Sequence, residues 1–349
     1  MTTAVALAQL GNSGVNFRNR IINGDMRIAQ RGTVTGAGID TFGACDRWKH
    51  WAADGGESGR STISQSTDVP AGQPFSNSVK VQVTTAQTSI SAGHGYKLVQ
   101  RIEANNVMDL GFGTTGSKQF TVSFWAKVET KTGIYCVSIW AYEAGTQYRQ
   151  QVREVTLGTT WQYYTLTFTV DANAQLAAGT GIGLELGFTL MAGSGIRSGV
   201  TTDTWANGSS AAATTNNQVN FYDSTSNALY VTGVQLEPGN QATAFEVRPY
   251  GTELQLCQRY FWSGRGAMAT GHYLMYNISY TDWLGNFGSF PVTMRATPTM
   301  SFTGGSGTNC SSVSVTAQSP DSFSHKTSGG GTGQVGSFGG ATYSASSEL

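Results

Sequence analysis

TVSFWAKV (residues 121–128) is the stretch that decides the fold class, because apolar and polar side chains alternate along it. Successive side chains of a β-strand point to opposite faces, so this alternation is typical of a strand with one buried face. The even-numbered positions from Val122 to Val128 are apolar and suit a core. The odd-numbered positions are polar except for Trp125. We therefore predict that the Trp125 indole either covers a groove or contacts another subunit.

Similar segments occur on both sides of this stretch. We assign strands to residues 78–83, 134–142, 164–170, 182–190, 218–222 and 228–236, which are separated by clusters of Gly, Asn, Asp, Ser and Pro. This spacing predicts roughly eight strands between residues 20 and 248. A single sheet would leave its apolar face in water, so we expect two packed sheets, a β-sandwich of the jelly-roll kind.

The pattern changes near Pro249. Residues 249–259 are predicted to contain a short helix with Thr252 as its N-cap. Further strands are expected at 272–280, 287–294, 299–303 and 311–316, with glycine-rich stretches at 304–307 and 329–340. The sequence thus predicts an all-β protein, a jelly-roll β-sandwich followed by a short helix and a smaller C-terminal β-domain. We divide it into a docking segment (1–18), the sandwich (19–248), the connecting helix (249–261) and the C-terminal β-domain (262–349).

The composition points to association between copies of the chain. Charged residues make up only 12% of the 349 residues, and Lys plus Arg equal Asp plus Glu at 21 each. Few charges suit a surface covered by other copies, because burying a charge is costly. The sequence has no Lys/Arg-rich run and no apolar stretch of membrane-spanning length, so we predict no nucleic-acid partner and no membrane insertion.

The sequence offers little that points to catalysis. The cysteines (Cys45, Cys136, Cys257 and Cys310) and the histidines lie far apart, in none of the spacings that hold metals. No nucleophile elbow or phosphate-binding loop is present. A glycosidase needs two carboxylates at a set separation, and Glu185, Glu237, Glu246 and Asp282 cannot be paired from sequence. We predict a protein that is not an enzyme and that has no cofactor or metal.

Six stretches in order resemble the tail-fibre proteins of phages and prophages. They are residues 16–32 (NFRNRIINGDMRIAQRG), 46–48 (DRW), 123–127 (SFWAK), 231–237 (VTGVQLE), 248–250 with 256–260 (RPY and LCQRY) and 290–299 (FPVTMRATPT). The resemblance implies a carbohydrate-binding-module-like jelly roll in a homotrimeric fibre that contacts the host envelope. It brings no catalytic motif, and the chain lacks the long repetitive shaft of large fibres.

The N-terminal stretch is basic, and two interpretations of it are open. Phe17, Arg18, Arg20, Arg27 and Arg31 are candidates for docking to the virion or to another subunit, because guanidinium groups bind carbonyls and carboxylates at boundaries. The alternative is pairing within the chain to Asp25, Asp40 and Asp46. The DRW triplet suits a structural corner with its indole in the core, and Glu237 suits a structural or rim position.

Aromatic side chains make up 11% of the chain and supply the candidate binding surface. Their faces stack on sugar rings, although most of them are expected in the core. We select one cluster in the C-terminal domain together with the strand residue above, namely Tyr273, Tyr276, Tyr280, Trp283, Phe287 and Trp125. A trimer core is an equally good interpretation of the C-terminal cluster.

Three functions follow as hypotheses. The first is a virion tail fibre, made in the host cytoplasm, that binds host-surface glycan and has itself and other tail or baseplate proteins as partners. The second is a structural virion protein, such as an adaptor, collar or head decoration, that touches no receptor. The third is a glycan-cleaving tailspike.

Overall fold

The computed structural model describes residues 17–38, 40–53, 58–116, 118–143, 148–197, 202–208, 214–264, 275–276, 282–308, 312–328 and 335–349. The first part of the chain forms two sheets. Their strands are β1 (Val34–Ala37), β2 (Thr41–Phe42), β3 (Lys49–Ala53), β4 (Arg60–Ser66), β5 (Ser78–Thr85), β6 (Gly95–Glu103), β7 (Gln119–Val128), β8 (Gly133–Tyr142), β9 (Tyr148–Leu157), β10 (Gln162–Thr169), β11 (Ile182–Ala192), β12 (Ala206–Gly208) and β13 (Ala228–Pro238).

The two sheets are antiparallel and interleaved in sequence. The six-stranded sheet has the order β1-β4-β5-β13-β7-β10, and the seven-stranded sheet has the order β12-β9-β8-β11-β6-β3-β2. The chain therefore crosses repeatedly from one sheet to the other, as it does in a jelly roll. The predicted all-β jelly-roll fold class is confirmed, while the homotrimeric state and the domain boundaries stay predictions.

Residues 121–128 lie within β7, and their alternation gives the strand one buried face, as predicted. Phe120, Val122, Phe124, Ala126 and Val128 are at most 1% exposed and belong to the core between the sheets. Trp125 lies on the opposite, outer face of β7 and is half-buried. Fully burying one such apolar side chain contributes about 1.5 to 3 kcal/mol, so these five positions hold β7 in its register.

The connecting helix and the C-terminal strands follow the sandwich. Helix α1 (Ser194–Arg197) is a single turn, and helix α2 (Tyr250–Gln258) begins directly after Pro249. The prediction of Thr252 as N-cap is wrong, because Thr252 lies inside α2 and Pro249 occupies the cap position. The remaining strands are β14 (Phe261–Gly264), β15 (Met275–Tyr276), β16 (Asp282–Ser289), β17 (Thr299–Thr308), β18 (Ser312–Gln318), β19 (Ser322–Ser328) and β20 (Val335–Ser346). Among the described residues, no helix is long and apolar enough to cross a membrane.

Three predictions about strands also need correction. Residues 218–222 are not a strand, because the Asn220 side chain accepts a hydrogen bond from Tyr222 N and starts a 3-10 turn at Phe221–Asp223. The strand expected at 287–294 ends at Ser289. The glycines at 304–307 lie within β17 and pair with β20, where no bulky side chain is needed for the backbone ladder.

Five of the six stretches that carry the tail-fibre resemblance, all except residues 123–127 on β7, meet at one place, which we call the junction. It joins residues 19–31, β13, the DRW corner, α2 and the C-terminal strands. Arg20 N donates to Leu236 O at 2.8 Å and Val234 N to Gly24 O at 2.9 Å, so the N-terminal segment lies along β13. A Cβ on Gly24 would lie 2.1 Å from Val234 O, so the close approach requires glycine.

Buried charges tie the junction together. Arg47 is 2% exposed, pairs with Glu348, donates to Arg101 O at 2.7 Å and lies over the Tyr260 ring at 3.5 Å. The Tyr260 hydroxyl donates to Glu103, which also accepts from Arg259 Nε at 2.8 Å. Trp48 of the same corner is fully buried, as the sequence predicted. These bonds link the sandwich to the helix and to the end of β20.

His50 on β3 gives the core a pH dependence. Its Nε2 shares a 2.7 Å hydrogen bond with the Tyr222 hydroxyl, and burial lowers the pKa of His50 to about 4. In the unfolded chain a histidine takes up a proton near pH 6.5. The folded protein binds that proton only near pH 4, so this stability is complete above pH 6.5 and is lost as the pH falls towards 4.

We expect His50→Gln to flatten the acid side of the stability profile. The glutamine keeps a polar head but does not titrate. Between pH 7 and pH 4 the unfolding free energy of the wild type should fall by roughly 3 kcal/mol more than that of the variant. Urea unfolding of both proteins at each pH measures the difference, in which the carboxylates common to both cancel. Parallel profiles would contradict the assignment.

Candidate functional site

A groove lies on the outer face of the six-stranded sheet. Trp125 on β7 and Tyr163 on β10 are directly opposite each other in the register, so their side chains share this face. Their ring centroids are 5.3 Å apart at an interplanar angle of 41°. Tyr163 is 45% exposed, which is unusual for so large a ring. The two rings form one aromatic wall of a groove of about 460 Å³.

The opposite wall is built from two loops. Phe75, which precedes β5, and Phe245, which follows β13, pack edge to face with centroids 5.1 Å apart. A bulge in β13 brings them onto the sheet, since the register shifts between Thr232 and Gln235. Gly233 in the bulge has a φ of +61°, and a Cβ there would lie 2.5 Å from the Phe75 ring. Only glycine meets both requirements at this position.

Hydrogen bonds fix the loop that carries Phe245. Buried Glu237 accepts from Thr243 N at 2.8 Å and from Thr243 Oγ1 at 2.6 Å. Arg18 lies 3.5 Å from the same carboxylate. Glu237 is 1% exposed and is therefore a structural residue, in agreement with the sequence interpretation. The loop is held in place before any ligand arrives, which lowers the entropy lost on binding.

The described lining of the groove is mostly apolar, with a few amide and hydroxyl groups and no charged side chain. The described residues that line the groove are Gln73, Pro74, Phe75, Ser123, Trp125, Tyr163, Gly233, Ala242, Thr243, Ala244 and Phe245. None of them is acidic or basic, so the pair of carboxylates that hydrolyses a glycosidic bond is not among them. Rings on both walls with amide and hydroxyl groups between them suit a ligand with apolar faces and a polar edge. The groove is suited to binding.

Of the four aromatic residues that line the groove, one was predicted from the sequence and three were not. Trp125 was selected because its ring interrupts a polar face. Tyr163 was missed because it precedes the first residue of the strand predicted at 164–170, and only the pairing of β10 with β7 places its ring beside Trp125. Phe75 and Phe245 lie in loops, and nothing in their spacing marks them.

The aromatic residues predicted as a glycan-binding surface in the C-terminal domain are either outside the described residues or described by their backbone alone. Tyr273 and Tyr280 lie outside the described residues. For Tyr276 in β15, and for Trp283 and Phe287 in β16, the described part is the backbone. Their role in glycan binding stays a prediction.

The N-terminal arginines pair within the chain. Arg18 forms an ion pair with Glu237, Arg20 with Asp109, and Arg27 with Asp25. Arg31 pairs with both Asp46 and Glu348. The predicted partners Asp25 and Asp46 are thus observed, whereas Asp40 pairs with Lys49. These arginines therefore have partners within the chain, and their predicted role in docking to the virion or to another subunit stays a prediction.

Phe17 and Arg20 line a second groove, of about 520 Å³. Met108, Asp109 and Arg248 lie beside them. Phe17 and Met108 are 50% and 49% exposed. An apolar surface next to the N-terminal segment is consistent with contact to another protein.

Gly233→Ala should disturb one wall of this groove, which we call the Trp125 groove, and leave the rings of Trp125 and Tyr163 in place. The new Cβ displaces the Phe75 ring, and the positive φ adds strain of about 1 kcal/mol or more. We expect the unfolding free energy to fall by roughly 1 to 3 kcal/mol. Gly72→Ala, whose φ of +74° is close to that of Gly233 but whose Cβ would have nothing within 4 Å, is the matched control for the strain alone. Equal losses in both variants would show that Phe75 is not held by Gly233.

Comparison with known proteins gives structural neighbours. A search of protein-family models finds no match, and a search of curated proteins finds none. The enzymatically active domain of tailspike protein 4 from bacteriophage CBA120 has a TM-score of 0.33 and 14% identity, over 64% of this chain and 22% of the other. A carbohydrate-binding module, CBM4, has a TM-score of 0.33 and 15% identity, over 62% and 98% of the two chains. The CBM22-1 xylan-binding domain of Xyn10C from Paenibacillus barcinonensis has a TM-score of 0.30 and 10% identity, over 64% and 96% of the two chains. This chain matches about a fifth of the tailspike domain's length.

Proposed function

We propose that this protein is a tail fibre of a tailed phage and that it binds a host-surface glycan in the Trp125 groove. The observation that carries the proposal is the groove itself, with aromatic rings on two facing walls and an uncharged lining. Sugar rings present apolar faces to aromatic side chains and hydroxyl groups to amides and hydroxyls. The six sequence stretches that resemble phage tail-fibre proteins support the place of the protein in a virion.

The same features favour binding over cleavage. The described lining residues include no carboxylate, and Glu237 beside the groove is buried and engaged by Thr243 and Arg18. Glu246 accepts hydrogen bonds from Arg18 N and Asn19 N, and Glu185 lies on the other sheet. We therefore propose a receptor-binding protein that is not an enzyme.

The proposed function includes assembly of the chain into a homotrimer and contact with other tail proteins. A homotrimer would present several copies of the groove, and avidity would raise the overall affinity by orders of magnitude above that of a single weak sugar contact. The second groove, with Phe17 and Arg20, is our candidate for contact with tail or baseplate proteins.

A glycan array of bacterial surface saccharides, probed with the full-length chain, tests the function. We expect binding to a restricted set of glycans, adsorption of the protein to cells that display them, and no release of reducing ends. Release of reducing ends would replace the proposal with a cleaving tailspike. Binding to no glycan would overturn the receptor role and leave a structural virion protein.

A further inference from the structure

The outer face of the seven-stranded sheet holds a second group of polar side chains, which we call the Lys97 cluster. Its members alternate with core residues along β6, β8, β9 and β11, so they point away from the space between the sheets. All are 4% exposed or less: Lys97, Ser138, Trp140, Gln150 and Thr189. Burial of a charged group on the outer face of a sandwich is unexpected, because such faces are usually in water.

The register places these side chains side by side. Lys97 is opposite Thr189, and Trp140 is opposite Gln150. Lys97 Nζ lies 4.2 Å from the centroid of the Trp140 ring and 4.6 Å from that of Trp51. Gly187 gives the lysine its space, because a Cβ there would lie 3.3 Å from Lys97 Cδ and 3.1 Å from Ser138 Oγ.

The charges around the cluster leave an excess of cations. Glu185 accepts from Arg101 Nε at 2.8 Å and from the Tyr142 hydroxyl at 3.2 Å, and Lys97 Nζ is 3.7 Å away. Burial alone would raise the pKa of Glu185, but the charges of Lys97 and Arg101 lower it below its ordinary value. Burial lowers the pKa of Lys97 to about 8. Two cations thus face one carboxylate.

Within the described part of the chain, five buried polar atoms of the cluster have no hydrogen-bond partner. They are Lys97 Nζ, Ser138 Oγ, Trp140 Nε1, Gln150 Oε1 and Thr189 Oγ1. A buried polar group without a partner costs about 1 to 3 kcal/mol, so these five atoms together require polar partners from outside the chain, either water or a ligand. Lys97 and Trp140 offer only donors, and the hydroxyls both donate and accept.

We propose that the Lys97 cluster is a second binding site, for an acidic saccharide whose carboxylate pairs with Lys97. The carboxylate would balance the excess cation and accept from the lysine. Sugar hydroxyls would accept from Trp140 Nε1 and donate to Gln150 Oε1. Trp140, whose centroid is 5.7 Å from that of Tyr148, supplies an aromatic face. This proposal does not depend on the Trp125 groove.

The test uses the full-length chain with Trp125→Ala, which removes the aromatic wall of the first groove. The probes are oligogalacturonides, hyaluronan oligosaccharides and sialyllactose, each beside its carboxyl-reduced neutral form. Calorimetric titration measures affinity, and quenching of the fluorescence of the seven remaining tryptophans, to which Trp51 and Trp140 contribute, reports on binding. Because the cluster is closed, we expect association slower than is usual for a pre-formed site.

We expect at least one acidic probe to bind saturably and its neutral form to bind at least tenfold more weakly. Lys97→Met should lower the affinity at least tenfold. Trp140→Phe, which keeps the ring but loses the donor, should lower it roughly fivefold and guards against misfolding of the lysine variant. Binding by none of the acidic probes would overturn the proposal and leave a cluster that holds water only. Equal affinity for acidic and neutral forms, or in the wild-type and Lys97→Met chains, would overturn it as well.

Discussion

Replacement of Arg47 by methionine is expected to lower the unfolding free energy by about 3 kcal/mol or more, because it breaks a buried ion pair. Arg47 is 2% exposed, pairs with Glu348, donates to Arg101 O and covers the Tyr260 ring. Methionine restores part of the volume but none of the hydrogen bonds. Glu348 keeps Arg31 at 3.0 Å, so the loss should stay near the lower end of the range for buried pairs. Urea unfolding followed by tryptophan fluorescence measures it.

Arg20→Met is the matched control for Arg47→Met. Arg20 pairs with Asp109, but their side chains are 21% and 53% exposed. Exposed pairs contribute about 1 kcal/mol or less. If the two variants lose the same free energy, the junction does not depend on its buried charges.

Replacement of Trp125 by alanine is the second change with a large expected effect. Truncating a tryptophan at the centre of a binding surface costs about 2 kcal/mol or more, which corresponds to roughly a thirtyfold loss of affinity. Trp125 is half-buried on an outer face and takes no part in the core, so the melting temperature should change little. Calorimetric titration with the glycan identified on the array measures the loss.

Trp161→Ala is the control for this variant. Trp161 precedes β10, and its Nε1 donates to Asp68 Oδ1 at 2.9 Å. It lies outside the groove lining. Its removal should leave the affinity within about twofold of the wild type, because only contacts in the desolvated centre carry large binding energies. An equal loss in both variants would indicate a general effect on the sheet rather than a contact to the sugar.

Six strands of the sandwich, β5, β7, β8, β10, β11 and β13, were predictable from the sequence because the pattern of apolar residues is a local property. Residues 121–128 and 182–190 show it clearly, and both lie within observed strands. Where local chemistry competes with alternation, the prediction failed, because Asn220 caps a turn within the strand expected at 218–222. The helix expected within 249–259 is present, but Pro249 rather than Thr252 occupies its cap position.

The groove and the junction were predictable only in part, because both depend on contacts between distant residues. Trp125 could be found, but its neighbour Tyr163 is set by strand register and Phe75 by a bulge at Gly233. The stretches that resemble tail-fibre proteins could be recognised from the sequence. That five of the six meet around Arg47, Arg248 and Tyr260 required the fold.

Hydrogen exchange in the presence and absence of the bound glycan tests the central claim most directly. Glycan binding in the Trp125 groove should slow exchange of backbone amides at residues 73–75 and 242–245, which line it from loops. With a neutral glycan, which the Lys97 cluster is not expected to bind, the seven-stranded sheet and residues 282–349 should be unchanged. Protection confined to those regions, with none at 73–75 or 242–245, would contradict the account.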